Sequence, residues 1–415
     1  MLKSIQIHNF RCVRDLTLNL TFAEGKAPNG YLDSDRWPFI QLGKGKDRRL
    51  CPVMALYGAN ASGKTSLLMA VQTLITLLKY GWRSESFQPN LIHHPYDDGS
   101  YSLLSLQFCL EKQLFHYSLA INKTGFEYEE LQLNHVVLFR VEKGQIARMD
   151  KSLQASYQDI LAKFNLRCIH AKTHDQVKTF LAEITDALPG VSPSLLEASN
   201  YLLTNILTVK GEIPLSVGIG SLADTFEGLE DERQSQAIKL ILKYLHKLDI
   251  PIVNMQLEDV GTVDASQLTR AITLKTAHLN KFNQEVWFEI NQESEGTRRL
   301  IGMLGYLLAA IRKGKIVCID EIDHSLHSLL VLELIRLFKI KRINNNNAQI
   351  ILTIHNTDLL SAGILGLSEI AIVTYRSLGG THLLRLTDHQ GLRNTDNFRR
   401  RYLNGEFGGI PSPYV

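Results

Sequence analysis

The chain is poor in cysteine: it has five in 415 residues, Cys12, Cys51, Cys109, Cys168 and Cys318. The number is odd and no two are spaced C-x-x-C, which argues against a disulfide framework or a zinc site and for a reducing, cytoplasmic setting. Long apolar runs are also missing. The longest lies near 300–311, short of the ~20 residues that span a bilayer, so no membrane partner is expected. The opening Met1-Leu2-Lys3-Ser4-Ile5-Gln6-Ile7 shows no apolar segment leading to a small-residue cleavage site, and no signal peptide is expected. Neither charge sign dominates: Lys plus Arg total 45 and Asp plus Glu 42, a net +3. This balance neither demands nor excludes nucleic acid, so any DNA contact would need a local patch. No heptad is sustained and no internal repeat is found, which excludes a long coiled coil.

What the chain has is apolar material. At 45% hydrophobic it can bury a large core, and its length suggests one large head interrupted by an insertion. Two short strands are expected within Ile5–Leu20, and a hairpin or loop over 21–50. Lys44, Lys46, Arg48 and Arg49 cluster in that loop; a solvated turn and a phosphate-backbone contact both fit them. Pro52–Tyr57 reads as a strand. Leu67, Leu68, Ala70, Val71, Leu74, Ile75, Leu77 and Leu78 follow at helical spacing. Strands are expected again at 101–108 and 114–121, and mostly helices over 150–248. Beyond that come strands at 251–257, 271–274, 285–290, 315–319 and 348–354, with helices at 296–311 and 326–338. Strands alternating with helices predict an α/β fold with a mixed sheet. The division expected is a head over 1–149, a helical insertion over 150–250 and the rest of the head over 251–415.

The strongest motif is Gly58-Ala59-Asn60-Ala61-Ser62-Gly63-Lys64-Thr65-Ser66, which contains G-x-x-x-x-G-K-[ST] between a strand and a helix. Glycines let backbone N–H groups turn inward around phosphates, and the helix N-terminus adds positive potential. Lys64 is expected on the β and γ phosphates of ATP, and the Thr65 hydroxyl on Mg²⁺. Ile316-Val317-Cys318-Ile319-Asp320-Glu321 is an apolar strand ending in two carboxylates. Asp320 suits the metal and Glu321 the attacking water. Glu293-Ser294-Glu295-Gly296-Thr297-Arg298-Arg299 opens a helix; Ser294 is an ordinary N-cap or, with Gly296, a second phosphate-binding element. Thr353-Ile354-His355-Asn356 puts a histidine at a strand's end, where it can sense the γ-phosphate. His324 and His327, three apart, could share a metal if helical.

In this order the motifs resemble the RecF, SMC and OLD-like branch of ABC ATPases. The opening Ile5-Gln6-Ile7-His8-Asn9-Phe10-Arg11 is similar to that branch's first strand, which implies Arg11 near the nucleotide. The chain is still more similar to bacterial stand-alone AAA-type ATP-binding proteins of anti-phage and abortive-infection systems. The residues that carry this are the Gly-Ala-Asn-Ala-Ser-Gly-Lys loop, Glu293-Ser294-Glu295-Gly296-Thr297-Arg298, Asp320-Glu321-Ile322-Asp323-His324-Ser325-Leu326-His327 and the tail Arg401–Pro411. The resemblance implies a P-loop NTPase of ABC-head type that hydrolyses ATP slowly, with Glu321, His355 and Lys64 as catalytic groups. It implies a homodimer or higher oligomer closing on ATP, with Ser294 and Gly296 reaching the partner's nucleotide. The output implied is control of a separate effector, a nuclease or other toxin, in antiviral defence. A RecF-like DNA-maintenance ATPase and an ATP-assembled scaffold are the alternatives. With about sixty residues following His355, no TOPRIM nuclease domain of the OLD kind is expected.

Overall fold

In a computed structural model of the protein, strands β1 (Leu2–Phe10) and β2 (Val13–Asn19) form a hairpin with Phe10 opposite Val13, so Arg11 and Cys12 make the turn. The structure describes residues 1–23, 49–82, 101–111, 113–122, 125–154, 178–186, 192–262, 270–324, 326–361, 363–376, 379–393 and 395–410. The expected loop over 21–50 with Lys44, Lys46 and Arg48 lies largely outside these, as do Leu161, Phe164, Cys168, Ser325 and Pro411.

Strand β3 (Val53–Tyr57) is apolar and buried at every position, as a central parallel strand must be. It leads through 58–63 into helix α1 (Lys64–Tyr80). Strands β4 (Ser102–Leu110), β5 (Gln113–Ile121), β6 (Phe126–Leu133), β7 (Val136–Glu142) and β8 (Gln145–Met149) then run as an antiparallel meander. With the first hairpin they make a seven-stranded sheet in the order β2-β1-β4-β5-β6-β7-β8.

Helices α2 (Phe180–Asp186), α3 (Pro193–Asn205), α4 (Leu215–Ala223) and α5 (Glu230–Lys247) follow, interrupted by strand β9 (Ile206–Lys210). The helical reading of 150–248 fails at β9. Leu195, Leu202 and Ile206 keep a helix-like spacing, but Ile206–Lys210 pairs in parallel with the strand that ends at Asp320. Pairing to an open sheet edge outweighs the local pattern, as the β-branched Ile206, Thr208 and Val209 favour. Strands β10 (Asn254–Thr262), β11 (Arg270–Leu279) and β12 (Glu285–Glu289) form a small antiparallel sheet. Then come helix α6 (Glu295–Arg312), β13 (Ile316–Asp320), α7 (Ser328–Lys339), β14 (Gln349–Thr353), β15 (Ile370–Arg376), β16 (Gly380–Arg385) and helix α8 (Phe398–Leu403).

The core sheet has the order β16-β15-β3-β14-β13-β9, parallel except at β16. Side chains alternate across it with the period of two that strands impose. Met54, Leu56, Cys318 and Ile351 face α1 and, beyond it, the antiparallel sheet. Val53, Ala55, Val317, Ile319, Ile350 and Leu352 face α6 and α7. Helix α1 is thus wedged between two sheets, which explains why Leu67, Ala70, Val71, Leu74, Leu77 and Leu78 are all buried. The parallel strands β3, β13 and β14 end side by side, and their carboxyl ends carry Gly58, Asp320 and Thr353.

Candidate functional site

The loop after β3 has a shape that its glycines permit. Gly58 has φ 152°, and a Cβ there would lie 2.1 Å from the Val373 carbonyl oxygen. Gly63 has φ 107°, and a Cβ there would lie 2.1 Å from Thr381 Oγ1. Both positions therefore need the backbone freedom and the missing side chain of glycine. Lys64 is buried, and its Nζ donates to the Gly58 and Ala59 carbonyls at 2.7 and 2.9 Å. Burial pushes its ammonium pKa down, against the pull of Asp320, Glu321 and Asp323. Ser62 Oγ is buried without a hydrogen-bond partner. An inward lysine, an orphaned hydroxyl and the free amides of a 17-residue helix form a cradle for an oxyanion.

Beside the cradle, Thr65 Oγ1 donates to Asp320 Oδ2 at 2.9 Å. Thr353 Oγ1 donates to Asp320 Oδ1 at 2.7 Å and accepts the Glu321 amide at 2.7 Å. The hydroxyl and carboxylate are hard oxygen donors, the set that suits Mg²⁺ held partly by phosphate oxygens. Glu321 sits in the left-handed region, φ 53°, with its side chain turned to solvent. His355 Nε2 is 3.6 Å from Glu321 Oε1, and the two side chains are 39% and 53% exposed. The His355 loop is pinned by Asp323, whose Oδ2 accepts the amides of His355 and Asn356 at 2.9 and 2.6 Å. One chain therefore brings together Lys64, Thr65, Asp320, Glu321 and His355.

Ser294 caps α6, accepting the Thr297 amide at 3.1 Å, and is exposed. The preceding Glu293 is held by Thr276 Oγ1 and His278 Nε2, each at 2.6 Å. Among the described residues no hydrogen bond joins Ser294 or Gly296 to the 58–66 loop. Arg11 has φ 54°, and its guanidinium contacts Met69 Sδ on α1. Its neighbour Cys12 is closer to the loop: Cys12 Sγ lies 3.2 Å from Ser66 Oγ and from Thr381 Oγ1. Thr381 Oγ1 donates to the Ser62 carbonyl at 3.0 Å. His324 and His327 precede helix α7 rather than lying on it, against the helical premise, and have separate partners, Arg299 at 2.9 Å and the Leu329 amide at 3.3 Å. The tail returns to the loop: a Cβ on Gly409 would lie 3.5 Å from Gly58 Cα, and Tyr402 OH donates to the Gly409 carbonyl at 2.9 Å.

Sequence reasoning quoted Thr353, Asp323 and Arg299 within its motifs but gave them no role, and did not name Thr381. Thr353 had a signal, a hydroxyl at the end of an apolar strand two residues before His355. The parts of the others are identified by contacts across the fold.

A family profile described as "AAA domain, putative AbiEii toxin, Type IV TA system" matches residues 53–361, from β3 past His355. No curated protein matches the chain. Solved structures similar to it include the following two. The SMC head domain from Thermotoga maritima has 15% identity and a TM-score of 0.41, with 92% of this chain and 98% of that chain covered. The recombination mediator protein RecF-ATPrS of the RecFOR pathway has 12% identity and a TM-score of 0.40, with the same coverage of 92% and 98%.

Proposed function

The chain belongs to this AAA-domain family, and on that premise we propose that it binds ATP with Mg²⁺ and hydrolyses it between two copies of itself. Lys64, the amides of 58–66 and the Ser62 hydroxyl would hold the phosphates, and Thr65 and Asp320 would hold the metal. Bound there, Mg²⁺ would supply positive charge against the phosphate oxygens. Glu321 takes the proton of the attacking water as its oxygen bonds to the γ-phosphorus and the bond to the bridging oxygen breaks, releasing ADP and phosphate. His355, beside Glu321, holds that water or the γ-phosphate. The partner copy supplies Ser294 and Gly296. Each copy presents this cap on its surface, unattached to its own loop.

The observation that carries the reading is the hydrogen-bonded run Thr65–Asp320–Thr353–Glu321, which joins a metal-type carboxylate to a solvent-facing second carboxylate in one rigid unit. ATP then acts as a switch through its greater affinity for the closed pair than for the open one. The output is control of a separate effector in anti-phage defence; the family's description as a putative AbiEii toxin of a Type IV TA system supports a toxin–antitoxin setting.

Mixed variants test the shared site. Lys64→Ala and Ser294→Arg should each be inactive alone. Mixed, they form heterodimers with one intact site, made of the loop from one chain and the cap from the other, and ATPase activity should return. No recovery on mixing, with dimers present, would rule out a site built from two copies.

A further inference from the structure

We propose that Arg299 is a positioning residue for Glu321, holding the hydrolytic turn from the body of helix α6; the proposal rests on Glu321 being the base. Arg299 is buried in the second turn of α6. Its Nη2 donates to the Glu321 carbonyl at 3.1 Å, and its Nη1 lies 2.9 Å from His324 Nδ1. A guanidinium has no acceptor, so Nδ1 must carry its lone pair toward Arg299. The Glu321 carbonyl also accepts the His324 amide at 3.1 Å, which closes the turn.

Glu321 needs this support. Its φ of 53° is unfavourable for a residue with a side chain, and such conformations persist only where the surroundings over-determine them. Thr353 holds the residue's amide and Arg299 holds its carbonyl, so the two ends are clamped from different elements. The clamp on the carbonyl side has a cost: Arg299 Nε is buried without a partner. The guanidinium is therefore committed to the turn rather than placed for its own satisfaction.

The consequence is a mechanical link. Ser294, the residue offered to the other copy's nucleotide, caps the same helix five positions earlier. Any shift of α6 when that cap engages moves the guanidinium and, with it, the Glu321 peptide. Arg299 thereby connects engagement at the dimer face to the orientation of the base.

A cavity of about 460 Å³ lies beside Arg299, lined also by Glu212, Pro214, Leu215, Glu295 and Arg298. Truncating Arg299 would open onto it and leave room for a small planar cation. The test measures ATP affinity and turnover of full-length Arg299→Ala and Arg299→Lys, with and without added guanidinium chloride below denaturing concentration. We expect Arg299→Ala to bind ATP almost normally and to turn over about 100-fold more slowly, the scale of a misplaced catalytic group. Guanidinium should restore part of that rate, and none of the rate of Glu321→Gln. Arg299→Lys should also be slow, since its single nitrogen lacks the planar fork that aims a separate N–H at each acceptor. Wild-type turnover in Arg299→Ala with an inactive Glu321→Gln would overturn the proposal alone. A slow Arg299→Ala with a lowered melting temperature and no rescue would also overturn it, leaving a purely structural role. Wild-type turnover in Glu321→Gln would overturn the reading of the base and the proposal with it.

Discussion

Thr353 Oγ1 donates to Asp320 Oδ1 at 2.7 Å from the end of the neighbouring strand, and its lone pair takes the Glu321 amide. One hydroxyl thus fixes the Asp320 carboxylate and the start of the Glu321 turn together. Thr353→Val keeps the shape and removes both bonds. It should lower unfolding free energy by about 1–3 kcal/mol, the scale for buried groups left unpaired. It should also raise the Mg²⁺ concentration needed for half-maximal ATPase, whereas Thr353→Ser stays near wild type. Equal Mg²⁺ titrations of wild type and Thr353→Val would contradict this.

Gly58→Ala is expected to break the cradle. The added Cβ would meet the Val373 carbonyl at 2.1 Å, a backbone atom that cannot swing aside, and φ is also wrong for alanine. A loss of about 1–3 kcal/mol in denaturant unfolding follows from the strained backbone alone, with nucleotide binding lost as well. Asn60→Ala, at an exposed position in the same loop, should stay within about 0.5 kcal/mol of wild type.

Glu129 gives a prediction in pH. Its carboxylate is buried; Oε1 accepts Tyr117 OH at 2.9 Å and the Leu181 amide at 3.0 Å, and Oε2 accepts the Phe180 amide at 2.6 Å. It thereby anchors the start of α2 to β6. Burial pushes its pKa up from 4.5 to about 7, although all three bonds favour the charged form. The folded protein therefore binds more protons than the unfolded chain between these values. The stability from Glu129 is full below pH 4.5 and is lost as pH rises through 7. The unfolding free energy of wild type minus that of Glu129→Gln should fall by on the order of 2–3 kcal/mol from pH 5 to 8. A flat difference across that range would contradict the assignment.

The candidate site was readable where it is contiguous in sequence. Gly58–Ser66 and Ile316–Glu321 each lie on one strand and the turn after it, so residue type and spacing carry the signal. The helix periodicity of α1 was equally clear, because one apolar face meets each sheet. What could not be read was whatever the fold joins at long range. Thr381 bonds to Ser62 across 319 residues, and Arg299 reaches the Glu321 carbonyl from helix α6. No local pattern encodes either contact. Strand β9 was misread because its apolar residues continue the spacing of α3 while the open edge of β13 claims them as a strand. Arg11 is placed near the nucleotide by resemblance alone; in the structure its guanidinium contacts Met69, and its turn-mate Cys12 contacts Ser66 and Thr381.

The most direct test of the central claim compares Glu321→Gln with wild type in three assays: ATP binding, ATP turnover and mass in solution with ATP and Mg²⁺. With Glu321 as the base, ATP affinity should be unchanged, turnover lower by about 100- to 10,000-fold, as expected for loss of a general base, and the dimer should persist with ATP and dissociate without it. Wild-type turnover in Glu321→Gln would show that another group activates the water, and would contradict the account.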